Sequence, residues 1–149
     1  MRVIILKRDQ IPGWQNLRSQ LWPHLAPEEH RREIIDILSD AEFNAVFAAV
    51  GRDKKLHGFV EASIRMSAEG CRTNPVGYLE GWFVEPRHRG KGVGKALLKR
   101  AEAWALSRGC REMASDTEVE NEASLAAHTA LGYEQVSRLI HFRKPLKES

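Results

Sequence analysis

The chain has 149 residues, 42% of them hydrophobic and 29% charged, with a formal net charge of +3. That profile fits one globular domain with a single full-sized core and is too weakly basic to argue for nucleic acid. No apolar run approaches the ~20 residues that span a bilayer, and Met1 to Lys7 is followed at once by Arg8 and Asp9, unlike a signal peptide. A cytoplasmic protein without membrane contact is expected. Cys71 and Cys110 are far apart and are expected as buried free thiols rather than a disulfide. The 6 histidines lack ligand spacing, so no metal is expected.

In chain order, Val3 to Leu6 reads as a short strand. Trp14 to Leu21 predicts a helix stopped by Trp22-Pro23, because proline restricts the residue before it. Pro27 to Leu38 predicts a second helix, with Pro27 in its first position and Ile34, Ile35 and Leu38 on one side. Asn44 to Val50 and Leu56 to Arg65 read as strands joined by the turn Gly51 to Lys55. After a polar loop, Ser67 to Pro75, the strand Val76 to Val84 ends at Glu85-Pro86. Gly92 to Arg108 has the clearest helical period: Val93, Leu97, Ala101, Trp104 and Ala105 share a face, and Gly109 fits the C-terminal cap. Glu112 to Thr117 is a short strand. A helix opens at Asn121 or Glu122 and runs to Ala130, before Leu131-Gly132. Tyr133 to Lys144 is expected to supply one or two closing strands. The order implies a mixed α/β sheet in a single domain, 1–149.

Between strand and helix lies Arg89-Gly90-Lys91-Gly92-Val93-Gly94. A phosphate needs close backbone N–H donors, and a helix N-terminus supplies them with the positive end of its dipole. Glycines let the backbone approach, and Arg or Lys adds charge. The loop lacks the Gly-Lys-Ser/Thr ending of a Walker loop and the context of a dinucleotide fingerprint. Taken alone, it reads equally as a helix start that needs glycine.

Charge is unevenly spread. Arg87, Arg89, Lys91, Lys95, Lys99, Arg100, Arg108 and Arg111 make 85–111 basic, whereas Glu112, Asp116, Glu118, Glu120 and Glu122 make the next segment acidic. The basic stretch suits a polyanion and the acidic one a polycation, or both simply solvate helix faces.

The glycine loop resembles the Arg/Gln-x-x-Gly-x-Gly/Ala segment of the GCN5-related N-acetyltransferases. It follows Leu79-Glu80-Gly81-Trp82-Phe83-Val84-Glu85-Pro86, which is similar to that family's central strand. Asn121 and Leu131-Gly132-Tyr133 are similar to its last helix. More narrowly, Leu17 to Pro23, Glu61 to Arg65, Leu79 to Gly81 and Cys110 to Thr117 resemble the aminoglycoside 6'-N-acetyltransferases of the chromosomal type. The resemblance implies a mostly antiparallel, splayed sheet flanked by helices, acetyl-CoA as cosubstrate, a cationic small-molecule substrate and a homodimer.

It also implies site residues. Arg89, Gly90, Lys91, Gly92, Val93, Gly94 and Lys95 would hold the cofactor pyrophosphate, with Asn121 nearby. Backbone N–H groups along Trp82, Phe83 and Val84 would pair with the pantetheine arm and polarise the thioester carbonyl. An attacking amine must lose a proton, and a polycationic substrate needs carboxylates to hold it. Glu80 and Asp116 are the candidates for both tasks; a strand-end acid otherwise reads as a cap or surface residue. Trp22 and His24 would line the substrate cleft, although a core tryptophan and a surface histidine look the same in sequence. His128 stands where many relatives carry a tyrosine that protonates the departing thiolate, a task water also performs. Ser137 stands where the resembling enzymes have a carboxylate. Other classes remain open: acetylation of a polyamine or a protein N-terminus, a non-catalytic acyl-CoA-binding module, or a nucleic-acid-binding domain, against which the basic stretch lacks interleaved aromatics.

Overall fold

The computed structural model describes residues 1–147, which fall into two compact units that divide after Asp116. The first unit contains β1 (Arg2–Ile5), α1 (Ile11–Leu21), α2 (Pro27–Leu38), β2 (Asn44–Val50), β3 (Leu56–Arg65), β4 (Val76–Val84), α3 (Val93–Ser107) and β5 (Met113–Ser115). The sheet order is β1-β2-β3-β4-β5. Pairs are antiparallel except β4 with β5, which run parallel.

Residues 45–50 of β2 and 57–63 of β3 are buried throughout, as in strands covered on both faces. On one face, Trp14 and Leu17 of α1, Ile34 of α2, Val46 and Phe59 form a cluster, with Trp22, Leu56 and Phe83 packed against it. The opposite face takes α3 through Leu97, Leu98, Ala101 and Ala105, all buried. Burial of each large side chain contributes roughly 1.5–3 kcal/mol. The helix comes close because two strand glycines let it: a Cβ on Gly77 would meet Ala105 Cβ at 2.7 Å, and one on Gly58 would meet Leu97 Cδ1 at 3.2 Å.

Three expectations need correction. On α2, Ile35 is 66% exposed and Leu38 also faces solvent. The inward positions are His30, Ile34 and Ile37, and the polar His30 hides that face from a purely hydrophobic pattern. On α3, Leu98 is buried whereas Trp104 is only half-buried. Cys110 is buried as expected, but Cys71 is only half-buried; both are free.

The second unit contains α4 (Glu122–Ala130), capped by Asn121, whose Oδ1 accepts the Ser124 N–H at 3.0 Å. The closing strands expected over Tyr133 to Lys144 are not formed: 133–147 has no regular secondary structure. A strand exists only by pairing. In the single chain this segment instead leaves Val136, Leu139, Ile140, Phe142 and Leu146 between 60% and 92% exposed.

Candidate active site

Strand alternation puts Phe59, Glu61, Ser63 and Arg65 of β3 on the α1/α2 face. The β3–β4 register then slips: Glu61 pairs with Gly81 and Ala62 with Leu79. Glu80 is the extra residue of this bulge, and a bulge re-aims its side chain. The Glu80 carboxylate accepts from Ser63 Oγ at 2.5 Å and from the Arg65 guanidinium at 2.8–3.1 Å. Arg65 lies 3.5 Å over the Tyr78 ring, and the Tyr78 hydroxyl donates to Asp116 Oδ2. Asp116 follows β5, one position beyond the last β4–β5 pair, Leu79 with Ser115. The two acids singled out in the sequence therefore belong to one array, Glu80–Arg65–Tyr78–Asp116, where the parallel strands part. Burial, and then the carboxylate beside it, push the Tyr78 hydroxyl up to about 12, so it stays a donor throughout the neutral range.

Trp22 reaches the same place. It ends α1, and its ring covers the backbone of β4: a Cβ on Gly81 would lie 2.5 Å from Trp22 Cη2. The Arg18 guanidinium lies 4.7 Å from its ring centre, and the ring makes a T-shaped contact with that of Phe59. Arg18 is itself 1% exposed. It pairs with Glu61 and Glu33, and Trp14 Nε1 donates to the same Glu61 oxygen at 3.0 Å. Arg18 Nε donates to His30 Nδ1, which leaves the proton on Nε2, and that N–H donates to the Trp22 carbonyl at 3.2 Å. Burial pushes the Glu61 carboxyl up against the opposing pull of Arg18. His24 is exposed beyond Pro23.

Further along β4, the Glu85 N–H donates to the His57 carbonyl at 2.9 Å. Alternation then turns the N–H groups of Trp82 and Val84 away from β3, to the side where β5 pairs only as far as Leu79. Arg89 Nε reaches the Val84 carbonyl on that edge at 2.7 Å. Gly90 and Gly92 have φ of 76° and 83°, a left-handed conformation that a side chain would strain. They turn the chain into α3, whose first N–H groups, around Val93, Gly94 and Lys95, have no partner one turn earlier in the helix. Trp82 Nε1 donates to the Gly94 carbonyl at 3.0 Å and anchors the helix start to the strand. Arg89, Gly90 and Lys91 are exposed.

In the second unit, His128 is half-buried, with Nδ1 donating to the Ser124 carbonyl at 2.7 Å and its ring edge-on to Tyr133. Ser137 is exposed. Sequence reasoning missed Arg65, Tyr78, Ser63, Arg18 and Glu61 as site-building residues. Their signal was the alternation Glu61, Ser63, Arg65, but the bulge that aligns Glu80 with it leaves no trace in the sequence.

The splayed sheet, the glycine turn into α3 and the acid array where β4 and β5 part together define an acyl-CoA-type transferase fold. The chain matches the acetyltransferase (GNAT) family over residues 11–133 and belongs to that family. It is 48% identical over 136 residues to an aminoglycoside N(6')-acetyltransferase type 1 of Klebsiella aerogenes, covering 90% of each chain. It is 44% identical to an enzyme of the same name from Stenotrophomonas maltophilia, covering 92% of this chain and 88% of that one. Among solved structures, AAC(6')-Iy in complex with the bisubstrate analogue CoA-S-monomethyl-acetylneamine superposes with a TM-score of 0.90 at 40% identity, over 97% of this chain and 98% of that chain.

Proposed function

We propose that the chain acts over 1–149 as one domain that transfers acetyl from acetyl-CoA to the 6'-amine of aminoglycosides, conferring resistance to them. The observation that carries this reading is the acid array beside Trp22, on a chain so similar to enzymes named for that reaction. The pyrophosphate sits on the amides of 90–95 with Arg89, Lys91 and Lys95 adding charge. The pantetheine arm lies along Trp82 to Val84, whose outward N–H groups support the thioester oxygen as it gains charge. Asn121 adds a further cofactor contact, as the resemblance implies, although its Oδ1 is engaged as the α4 cap.

In a ternary complex, Glu80 and Asp116 hold the substrate ammonium groups, replacing Arg65 as the cation on Glu80, and take up the proton that the 6'-amine releases. The amine nitrogen attacks the carbonyl carbon. The tetrahedral intermediate then collapses with loss of the CoA thiolate, which takes a proton from water or from Nε2 of His128 in its imidazolium form. Trp22 and His24 face the sugar rings, and Ser137 is a weaker contact than a carboxylate.

The reaction takes place in the cytoplasm, where acetyl-CoA is made. Among the described residues no helix is long and apolar enough to cross a membrane. The exposed apolar residues of 136–146 suit pairing with a second copy, so the working form is a homodimer, which sedimentation equilibrium tests. The assay is purified protein with acetyl-CoA and kanamycin or tobramycin, with free CoA followed and the product mapped by mass spectrometry. Acetylation at the 6' position supports the reading. No turnover across a panel with free 6'-amines, or a far better polyamine or peptide substrate, sinks it.

A further inference from the structure

We propose that His57, Glu85 and His88 form a binding site for a divalent transition-metal ion of the zinc class, held at the base of the glycine loop and apart from the acid array. No ligand motif exists in the sequence. The β3–β4 pairing creates the site, because it sets His57, near the start of β3, beside Glu85, the residue that follows β4. The short turn that follows brings His88 back, with its N–H on the Glu85 carbonyl at 2.9 Å.

One ligand atom from each of the three residues lies within 4.8 Å of the others. Tetrahedral zinc, with bonds of about 2.0–2.1 Å, needs its ligand atoms about 3.4 Å apart. Small rotamer shifts therefore close the set. His57 Nδ1 and Glu85 Oε1 are hydrogen-bonded at 2.8 Å, a contact that the bound ion would replace, and the second Glu85 oxygen accepts from Gln20 at 3.3 Å. The His88 ring lies 4.3 Å from that of His57.

Three details point to a cation rather than to plain packing. The first is that His88 Nε2 is sealed from solvent and, among the described residues, has no hydrogen-bond partner; a buried polar atom left without one is costly. The second is Asp53, whose carboxylate holds His57 Nε2 at 2.9 Å. A metal-bound histidine characteristically gives its other ring N–H to a carboxylate, which leaves Nδ1 as the ligand. The third is Gly51, where a Cβ would lie 2.7 Å from Asp53 Oδ1 and 2.8 Å from His57 Cδ2; only glycine leaves room for that pair.

Two imidazoles and a carboxylate suit zinc or its neighbours rather than calcium or magnesium. Glu85 and Asp53 together offset the two charges of the ion. A shallow hollow bordered by Met1 and Arg52 adjoins the two histidines. Because Arg89 follows His88, an ion here clips the base of the glycine loop to the sheet edge.

The test uses untagged protein freed of metal with a chelator. Calorimetric titration with zinc chloride should give one equivalent bound and a raised Tm. His88→Gln and Glu85→Gln should each weaken binding by at least about tenfold, and Asp53→Asn by about tenfold through the orientation of His57. Circular dichroism identifies any variant that fails to fold, and the remaining ones then decide. Cobalt(II) on the wild type should give tetrahedral visible bands without a thiolate charge-transfer band. The proposal is overturned if wild-type protein binds less than stoichiometric zinc with no Tm change, if the folded variants bind as tightly as wild type, or if the thiolate band shows that Cys71 or Cys110 is the ligand.

Discussion

Two glutamate–arginine pairs lie on the same face of the sheet, one bulge apart, and differ in their access to water. In the Arg18–Glu61 pair the side chains are 1% and 4% exposed; in the Arg65–Glu80 pair they are 44% and 34% exposed. The first pair is closed over by Trp14 and Trp22 and has no room for a ligand. The second is open, and on the proposed function its guanidinium occupies the place where a substrate ammonium would bind. Removing one partner of a sealed pair strands a buried charge and costs about 3–5 kcal/mol, whereas an exposed pair is worth about 0–1 kcal/mol. One sequence thus uses the same pairing once sealed, as a support under Trp22, and once open to water, where the proposed function makes it an exchangeable contact.

The sharpest way to break this contrast is Arg18→Leu. It should lower stability by about 3–5 kcal/mol in urea unfolding by leaving Glu61 buried and unpaired; adding Glu61→Leu should recover part of the loss. A small effect would mean that water reaches the pair. Next, Glu80→Gln keeps the shape but loses the charge. Steady-state kinetics should show kcat/KM lower by at least about 100-fold, with Tm nearly unchanged; an active variant would remove Glu80 from proton uptake.

Gly81→Ala tests the support itself, since the new methyl displaces the Trp22 ring. KM for the aminoglycoside should rise about tenfold, the worth of one good aromatic contact, with little change in KM for acetyl-CoA. Arg65→Gln removes the cation paired with Glu80, which on the proposed function competes with substrate. KM should fall about threefold and stability should move by less than about 1 kcal/mol; a raised KM would make Arg65 a support for Glu80 instead of its placeholder.

The smallest effect concerns pH. The Thr73 hydroxyl, then the N–H groups of Arg72 and Thr73, hold the Glu112 carboxyl below its usual range. A depressed pKa adds stability above the ordinary value, about 4.3, and this is lost as pH falls through the folded value. The Tm gap between wild type and Glu112→Gln should therefore be widest near neutral pH and close on acidification.

Much of this was legible in the chain. β2, β3, β4 and α2 keep the boundaries expected of them, because continuous apolar runs, the Pro27 start and the Glu85-Pro86 stop are local signals. Glu80, Asp116 and the glycine turn were visible through the family resemblance, on the central strand, at the end of the next strand and before a helix. The partners of Glu80 were not, because a bulge is a mismatch between two strands and belongs to neither one's sequence. His30 and Arg18 were overlooked because a hydrophobic pattern counts polar residues as outward, and only packing shows them bonded inside. The strands expected at Tyr133 to Lys144 failed for a related reason: their pattern is local, but a strand needs a neighbouring edge.

The sequence by itself determined the family, the order of elements before residue 131 and the glycine turn into α3, all of which follow from short-range spacing and local backbone preference. Tertiary structure alone decided which arginine is sealed and which is exchangeable, where Trp22 rests, and that His57, Glu85 and His88 meet. Those outcomes depend on register and burial across strands distant in sequence, and the solvent exposure they set decides whether a charge pair supports the fold or yields to a ligand.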